Sequence, residues 1–194
     1  MLDNEISDKS LIDHKIEHIK DVLLKLDGVI DVKEFLTDLE YHVGQLDYFY
    51  NDITPKQSGD PASSFYKLKQ IPEPHQVAYF NLTRGFPKEL YGGHWCYIVK
   101  IFKYKALVIP TTSVKDNSSP PDSQFQLDVA VENFTNPQLT RLQVSDLRVV
   151  DLQRLYQSKG FYNVLTSRNY IEQNISRMIF LNQKKALQNE QGNC

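Results

Sequence analysis

Residues 77–113 read VAYFNLTRGFPKELYGGHWCYIVKIFKYKALVIPTTS, and their pattern decides the fold of the chain. An apolar run from Val77 to Leu82 leads into a polar loop holding Gly85, Gly92 and Gly93. A second run from Trp95 to Phe102 passes through Lys103-Tyr104-Lys105 into a third, Ala106 to Ile109, which ends at Pro110-Thr111-Thr112-Ser113. Short β-rich runs separated by turn chemistry predict a small, strongly curved sheet or barrel. Polar side chains able to do chemistry sit where runs meet loops: Arg84, His94, Thr111 and Thr112.

Downstream, Phe125–Val131 alternates, with Phe125, Leu127, Val129 and Val131 on one side, and reads as a half-buried strand. Asn133–Pro137 reads as a turn, Leu139–Val144 as another strand, and Ser145–Asp151 as a strand or edge. Thr166 or Ser167 suits the N-cap of a closing helix over about residues 167–187, whose apolar face holds Ile171, Ile175 and Met178. Five or six strands and a closing helix are expected.

Upstream lie two helices. Ile12, Ile16, Ile19, Leu23 and Leu26 are spaced four, three, four, three, which is a heptad seam. Asp27-Gly28 ends that helix. Asp31 with Glu34 opens a second as a capping box, and its seam runs through Val32, Leu36, Leu39, Val43, Leu46 and Tyr50. Two helices on a short connection predict an antiparallel hairpin over residues 1–53. Its seam can close on itself, pack on the barrel or pair with another copy. Residues 54–74, rich in Pro, Ser and Gly, read as a linker, and residues 75–188 as the barrel domain with its helix. His14 and His18 stand at metal-binding spacing with Asp21 nearby, but no Cys, further His or HExxH pattern joins them, so they read as a solvated face, and no cofactor is expected.

Apolar residues make up 41% of the 194, which marks a globular chain, and no apolar run is long enough to span a membrane. The two cysteines, Cys96 and Cys194, are far apart, so a disulfide framework is not expected and a reducing cytoplasm is. The net charge of −2 conceals a division. Residues 1–53 hold thirteen acids and five bases, a net of −8, while the remainder carries +6. A basic domain suits a polyanion.

The barrel half resembles the PemK/MazF family of toxins from type II toxin–antitoxin systems, over about residues 75–185. The resemblance rests on Val77–Leu82, on Tyr91-Gly92-Gly93-His94-Trp95-Cys96-Tyr97-Ile98-Val99, on Pro110-Thr111-Thr112, and on Asp146-Leu147-Arg148-Val149-Val150-Asp151-Leu152-Gln153-Arg154-Leu155, in order and followed by a helix. It implies an SH3-like barrel that dimerises and a metal-independent endoribonuclease cutting single-stranded RNA through a 2′,3′-cyclic phosphate. It also implies an acidic antitoxin as protein partner, with no DNA binding by the toxin alone. Thr112 matches the family's Pro-x-Thr threonine. Trp95 stands where the family has arginine, and Cys96 where it has proline.

The catalytic set expected here is therefore His94, Thr112 and Arg84. Histidine titrates near neutrality and can move a proton, threonine can donate to a phosphate oxygen, and arginine can balance phosphorane charge. Trp95, Lys88, Thr111 and Arg148 are the expected RNA contacts, Trp95 by stacking on a base. The substituted arginine leaves a second reading open: a barrel that binds RNA or protein without cutting. The acidic hairpin reads either as a mask over the RNA groove or as an oligomerisation arm.

Overall fold

The computed structural model describes residues 8–66, 68–86, 88–132 and 139–181. The chain divides between Asp47 and Tyr48 into two compact units. Among the described residues no helix is long and apolar enough to cross a membrane.

The first unit holds α1 (Asp8–Leu26) and α2 (Val32–Asp47). Gly28 takes a left-handed φ of 79°, which ends α1, and the Val29 and Ile30 amides bond back to the Leu26 carbonyl. Asp31 Oδ1 accepts the Glu34 N–H at 2.8 Å, the first half of the expected capping box. The closed hairpin does not form. The two helices make little contact along their length, and the seam residues Ile12, Ile16, Leu36 and Val43 face solvent. Within the two helices only Leu23 is buried.

The second unit begins with a π-helical turn, Tyr48–Ile53, and a short helix, α3 (Thr54–Gln57). The stretch that follows is held by its own polar side chains and by the sheet. Asp60 accepts from the Ala62 amide and the Ser63 hydroxyl, Gln57 bonds both backbone groups of Phe65, and Phe65 and Leu68 pack on the core.

Among the described residues seven strands form one antiparallel sheet: β1 (Gln76–Leu82), β2 (Gly92–Ile101), β3 (Lys105–Ser113), β4 (Gln126–Ala130), β5 (Leu139–Gln143), β6 (Arg148–Asp151) and β7 (Phe161–Asn163). The spatial order is β4-β5-β3-β2-β1-β7, with β6 also on β3. The ladder is not closed; beyond it, isolated bridges link Phe80 with Leu155 and Val131 with Val164. The fold is thus mixed α/β, and it has more strands than the alternation pattern reveals. β7 has three residues, too few to show a period, and it forms because β1 offers it an edge.

β3 is the hub. One edge pairs with β2, and the other pairs first with β6, through Lys105–Val108, and then with β5, through Thr111–Ser113. Pro110 sits in the gap between those two partners, where a residue without an N–H interrupts neither. Both sheet faces are covered. Ala78, Phe80, Cys96, Ile98, Val108 and Leu152 form one core cluster; Val77, Tyr97, Ile109, Val129 and Leu142 form the other with Ile171 and Ile175 of α4 (Arg168–Ser176). The expected closing helix is therefore present. It continues as a π-helical turn over Arg177–Leu181, and the rest of the expected span lies outside the described residues, as does the turn at 133–137.

His75 enters β1 in a strained pose. Its φ is 74°, its amide bonds the Ile98 carbonyl, and its Nδ1 lies 3.2 Å from the Tyr97 hydroxyl. Burial holds the imidazole below its ordinary value of 6.5, helped by the Arg168 charge, while burial pushes the Tyr97 phenol up to about 12. Tyr97 therefore keeps its proton and shares a hydrogen bond with His75. On acidification the unfolded chain takes up its proton at His75 first, near pH 6.5, whereas the folded chain resists until lower pH. Stability from this site is full above that value and is lost as pH falls below it. Urea midpoints should drop between pH 7.5 and 5.5 (roughly the window around the free imidazole), and drop less in His75→Asn, since asparagine tolerates the positive φ. Equal drops in both proteins would remove His75 from the account.

Candidate phosphate-binding face

Consecutive residues of a strand point to opposite faces, and that alternation divides the expected site. Phe80 pairs with His94, and Leu82 with Gly92, so His94 shares a face with Phe80 and Leu82. Arg148 pairs with Val108, which pairs with Ile98, two residues beyond Cys96 and four beyond His94. His94, Arg148 and, along β3, Thr112 therefore share one face. Trp95 and Thr111 belong to the other.

The individual contacts sharpen this division. His94 Nδ1 lies 3.4 Å from the Thr111 carbonyl oxygen, a long contact that orients the ring. The Thr112 hydroxyl accepts from Gln143 Nε2 at 2.8 Å, and Gln143 Oε1 accepts in turn from Gln126. Thr111 is buried. The Arg84 guanidinium lies 4.1 Å from the centre of the Tyr91 ring, within its own loop, and Lys88 in that loop is exposed. His94, Thr112 and Arg84 make no hydrogen bond or ion pair with one another. Trp95 is half-buried in an edge-to-face cluster across three strands, 5.3 Å from Tyr79 and 5.2 Å from Tyr162. Tyr156 and Lys159 cover Tyr79 from the other side. Gly93 makes room for this arrangement, because a Cβ there would lie 2.7 Å from Tyr79 ring carbons.

Of the expected residues, Arg148 lines a cavity beside β6. This cavity holds about 380 Å³, has Leu82 and Val150 among its apolar lining, and is ringed by Thr83, Lys105, Arg148, Asp151 and Arg154. It brings three cations against one carboxylate. Arg148 is already engaged: its Nη2 donates to Asp146 Oδ1 at 2.8 Å and its Nε to the Asp146 carbonyl at 3.2 Å. The same Oδ1 accepts the Leu90 N–H at 3.0 Å, so one carboxylate fixes both Arg148 and the end of the β1–β2 loop. Asp151 is occupied in capping the 3₁₀ turn over Leu152–Arg154, where it accepts the Gln153 N–H. Among the described residues neither Lys105 nor Arg154 is in an ion pair.

Cys96 has no part in chemistry on this face. It is fully buried, and burial drives its thiol far above the ordinary range, so no thiolate forms. The nearby Arg148 charge opposes that shift, which places Arg148 within electrostatic reach of the His94 face. Among the described residues no group of His, Cys, Asp or Glu is gathered to hold a metal ion.

What this face can do follows from its groups. Two cations without anionic partners among the described residues, beside a guanidinium held at fixed geometry, suit a phosphate or phosphodiester. His94 lies outside the lining of this cavity but shares the Arg148 face of the sheet, and a histidine there can move a proton. Arg154 belongs to the Asp146–Leu155 segment that carries the resemblance, but nothing local links it to Lys105, which a reading of motifs misses. They meet because β6 pairs back onto β3, with Lys105 opposite Asp151. Compared with known proteins, the chain matches no family model and no curated relative.

Proposed function

We propose that the β unit is a PemK/MazF-like, SH3-like barrel that engages single-stranded RNA and cleaves it without metal, as the toxin of a toxin–antitoxin pair. The observation that carries this reading is the cavity lined by Lys105, Arg148 and Arg154, of which Arg148 stands on the face that also bears His94. In the family pattern Trp95 replaces an arginine, and Arg148 offers a guanidinium in its stead. In the proposed step the 2′-oxygen attacks the adjacent phosphorus and the bond from phosphorus to the 5′-oxygen breaks. That leaves a 2′,3′-cyclic phosphate and a 5′-hydroxyl. His94 moves a proton, and the cationic group balances the charge of the phosphorane. An acidic antitoxin would cover the same cavity, and a second copy of the barrel would extend the groove.

A second reading, an RNA-binding module that does not cut, is favoured by one arrangement: neither His94 nor Thr112 lines the cavity that gathers the cations. One experiment separates the two. The purified protein is incubated with mixed-sequence single-stranded RNA in EDTA, and the ends are analysed. Cyclic-phosphate ends that vanish in His94→Ala support the ribonuclease. Binding without cleavage supports the module, and neither binding nor cleavage overturns both.

A further inference from the structure

The first unit carries an apolar stripe that the β unit's chemistry does not explain. Ile12, Ile16 and Ile19 of α1 are 60%, 57% and 41% exposed, and Leu36, Leu39, Val43 and Leu46 of α2 are exposed as well. Single exposed apolar residues are ordinary, but three at heptad positions on one helix and four on the next make an apolar stripe on each, and such stripes mark interaction surfaces. The helices barely touch each other, so the stripe is not the inside of a closed hairpin. In proteins most helical stability comes from packing an amphipathic face rather than from propensity.

We propose that this face docks on the same face of a second copy of the chain, with α1 running antiparallel to α1 of that copy. The flanking charges select both occupant and direction. With Ile16 and Leu23 at a, and Ile12, Ile19 and Leu26 at d, Asp13 and Lys20 fall at e, and Asp8 and Lys15 at g. In a parallel pair each g residue faces the following e of its mate. That sets Asp8 against Asp13 and Lys15 against Lys20, both repulsive. In an antiparallel pair e faces e, so Asp13 meets Lys20 of the second copy and Lys20 meets its Asp13. The two-fold axis makes each favourable contact twice. α1 as a whole is balanced, with Asp8, Asp13, Glu17 and Asp21 against Lys9, Lys15, Lys20 and Lys25, so self-association meets no net repulsion along it. Val22, exposed at g, widens the apolar strip beside the seam. This inference is independent of the RNA reading and survives its failure.

The test is sedimentation equilibrium on the full-length chain, with circular dichroism to verify that each variant keeps its helices. Wild type should associate at micromolar concentration. Ile12→Asp/Ile16→Asp removes four apolar side chains from the symmetric seam and should raise the dissociation constant of that step at least about a hundredfold. Any association through the β unit persists in both proteins, so only the difference is read. Asp13→Lys should weaken association, because the new cation would face Lys20 of the second copy, and Asp13→Lys/Lys20→Asp should restore it. If Asp13→Lys tightens association, the helices run parallel and the proposal is wrong. A mass unchanged by Ile12→Asp/Ile16→Asp, whether monomeric or not, would equally overturn it. The stripe would then serve a different protein or another part of this chain.

Discussion

Lys105→Ala/Arg154→Ala should lower the affinity for single-stranded RNA about a hundredfold at low salt while leaving the fold intact. Each side chain lines the cavity, and neither has an anionic partner among the described residues. A charge-assisted hydrogen bond to phosphate contributes about 1.5 kcal/mol or somewhat more, hence roughly tenfold per contact. The salt dependence gives an independent reading. Each lost phosphate contact on a single strand lowers the slope of log K against log salt by about 0.7, so the double variant should lose about 1.4. Arg148 is left in place because its removal confounds two effects. Asp146, whose side chain is only 13% exposed, would lose its guanidinium and with it part of the hold on the Leu90 amide. A variant that binds within about twofold of wild type, with an unchanged salt slope, would show that the backbone of the RNA runs elsewhere. An equal loss for heparin and for RNA would show general polyanion capture rather than an RNA site.

The fold was legible where local pattern and local chemistry coincide. β1, β2 and β3 were visible as apolar runs because turns bound them, and the cap of α2 was visible because Asp31 and Glu34 stand at the spacing the amide geometry demands. The openness of the helical pair was not legible. A heptad seam states that a partner is wanted without saying which one. The division of the site was implicit in the sequence, since His94 and Trp95, like Thr111 and Thr112, are neighbours in strands and must face opposite ways. The cavity was hidden for a different reason. Lys105 and Arg154 are joined by β6 returning to β3, a pairing set by the register of two distant segments and not by any residue near either. The polar network around Thr112 was hidden likewise, because it depends on β4 and β5 pairing with Gln126 opposite Gln143.

The largest effect on stability should come from Arg141. It is 7% exposed, at the centre of β5, opposite Asp128 of β4 and Thr112 of β3. Its Nε donates to Asp128 Oδ1 at 2.6 Å, and its Nη2 donates to Asp128 Oδ2 at 2.9 Å and to the Ser119 carbonyl at 2.8 Å. One side chain thus ties together two strands and the loop before β4. Arg141→Met keeps the length of the side chain and removes the charge, leaving a carboxylate without its partner. Breaking a buried pair in this way costs about 3–5 kcal/mol, and the lower end applies because the Asp128 side chain is 20% exposed and water can reach it. For a chain of this size about 3 kcal/mol corresponds to a fall of roughly 6–12 °C in Tm. Unfolding in urea can be followed through Trp95, the sole tryptophan, which sits in β2 and so reports on the β unit. Asp128→Leu/Arg141→Met removes both charges and should recover most of the loss, to within about 1 kcal/mol of wild type. That recovery distinguishes the cost of an orphaned charge from the cost of lost packing. If the double variant is as unstable as Arg141→Met alone, the bond to the Ser119 carbonyl, and with it the loop before β4, is what Arg141 holds. If Arg141→Met itself unfolds within about 1 kcal/mol of wild type, the pair contributes little, and a buried arginine beside Thr112 must be explained by function instead.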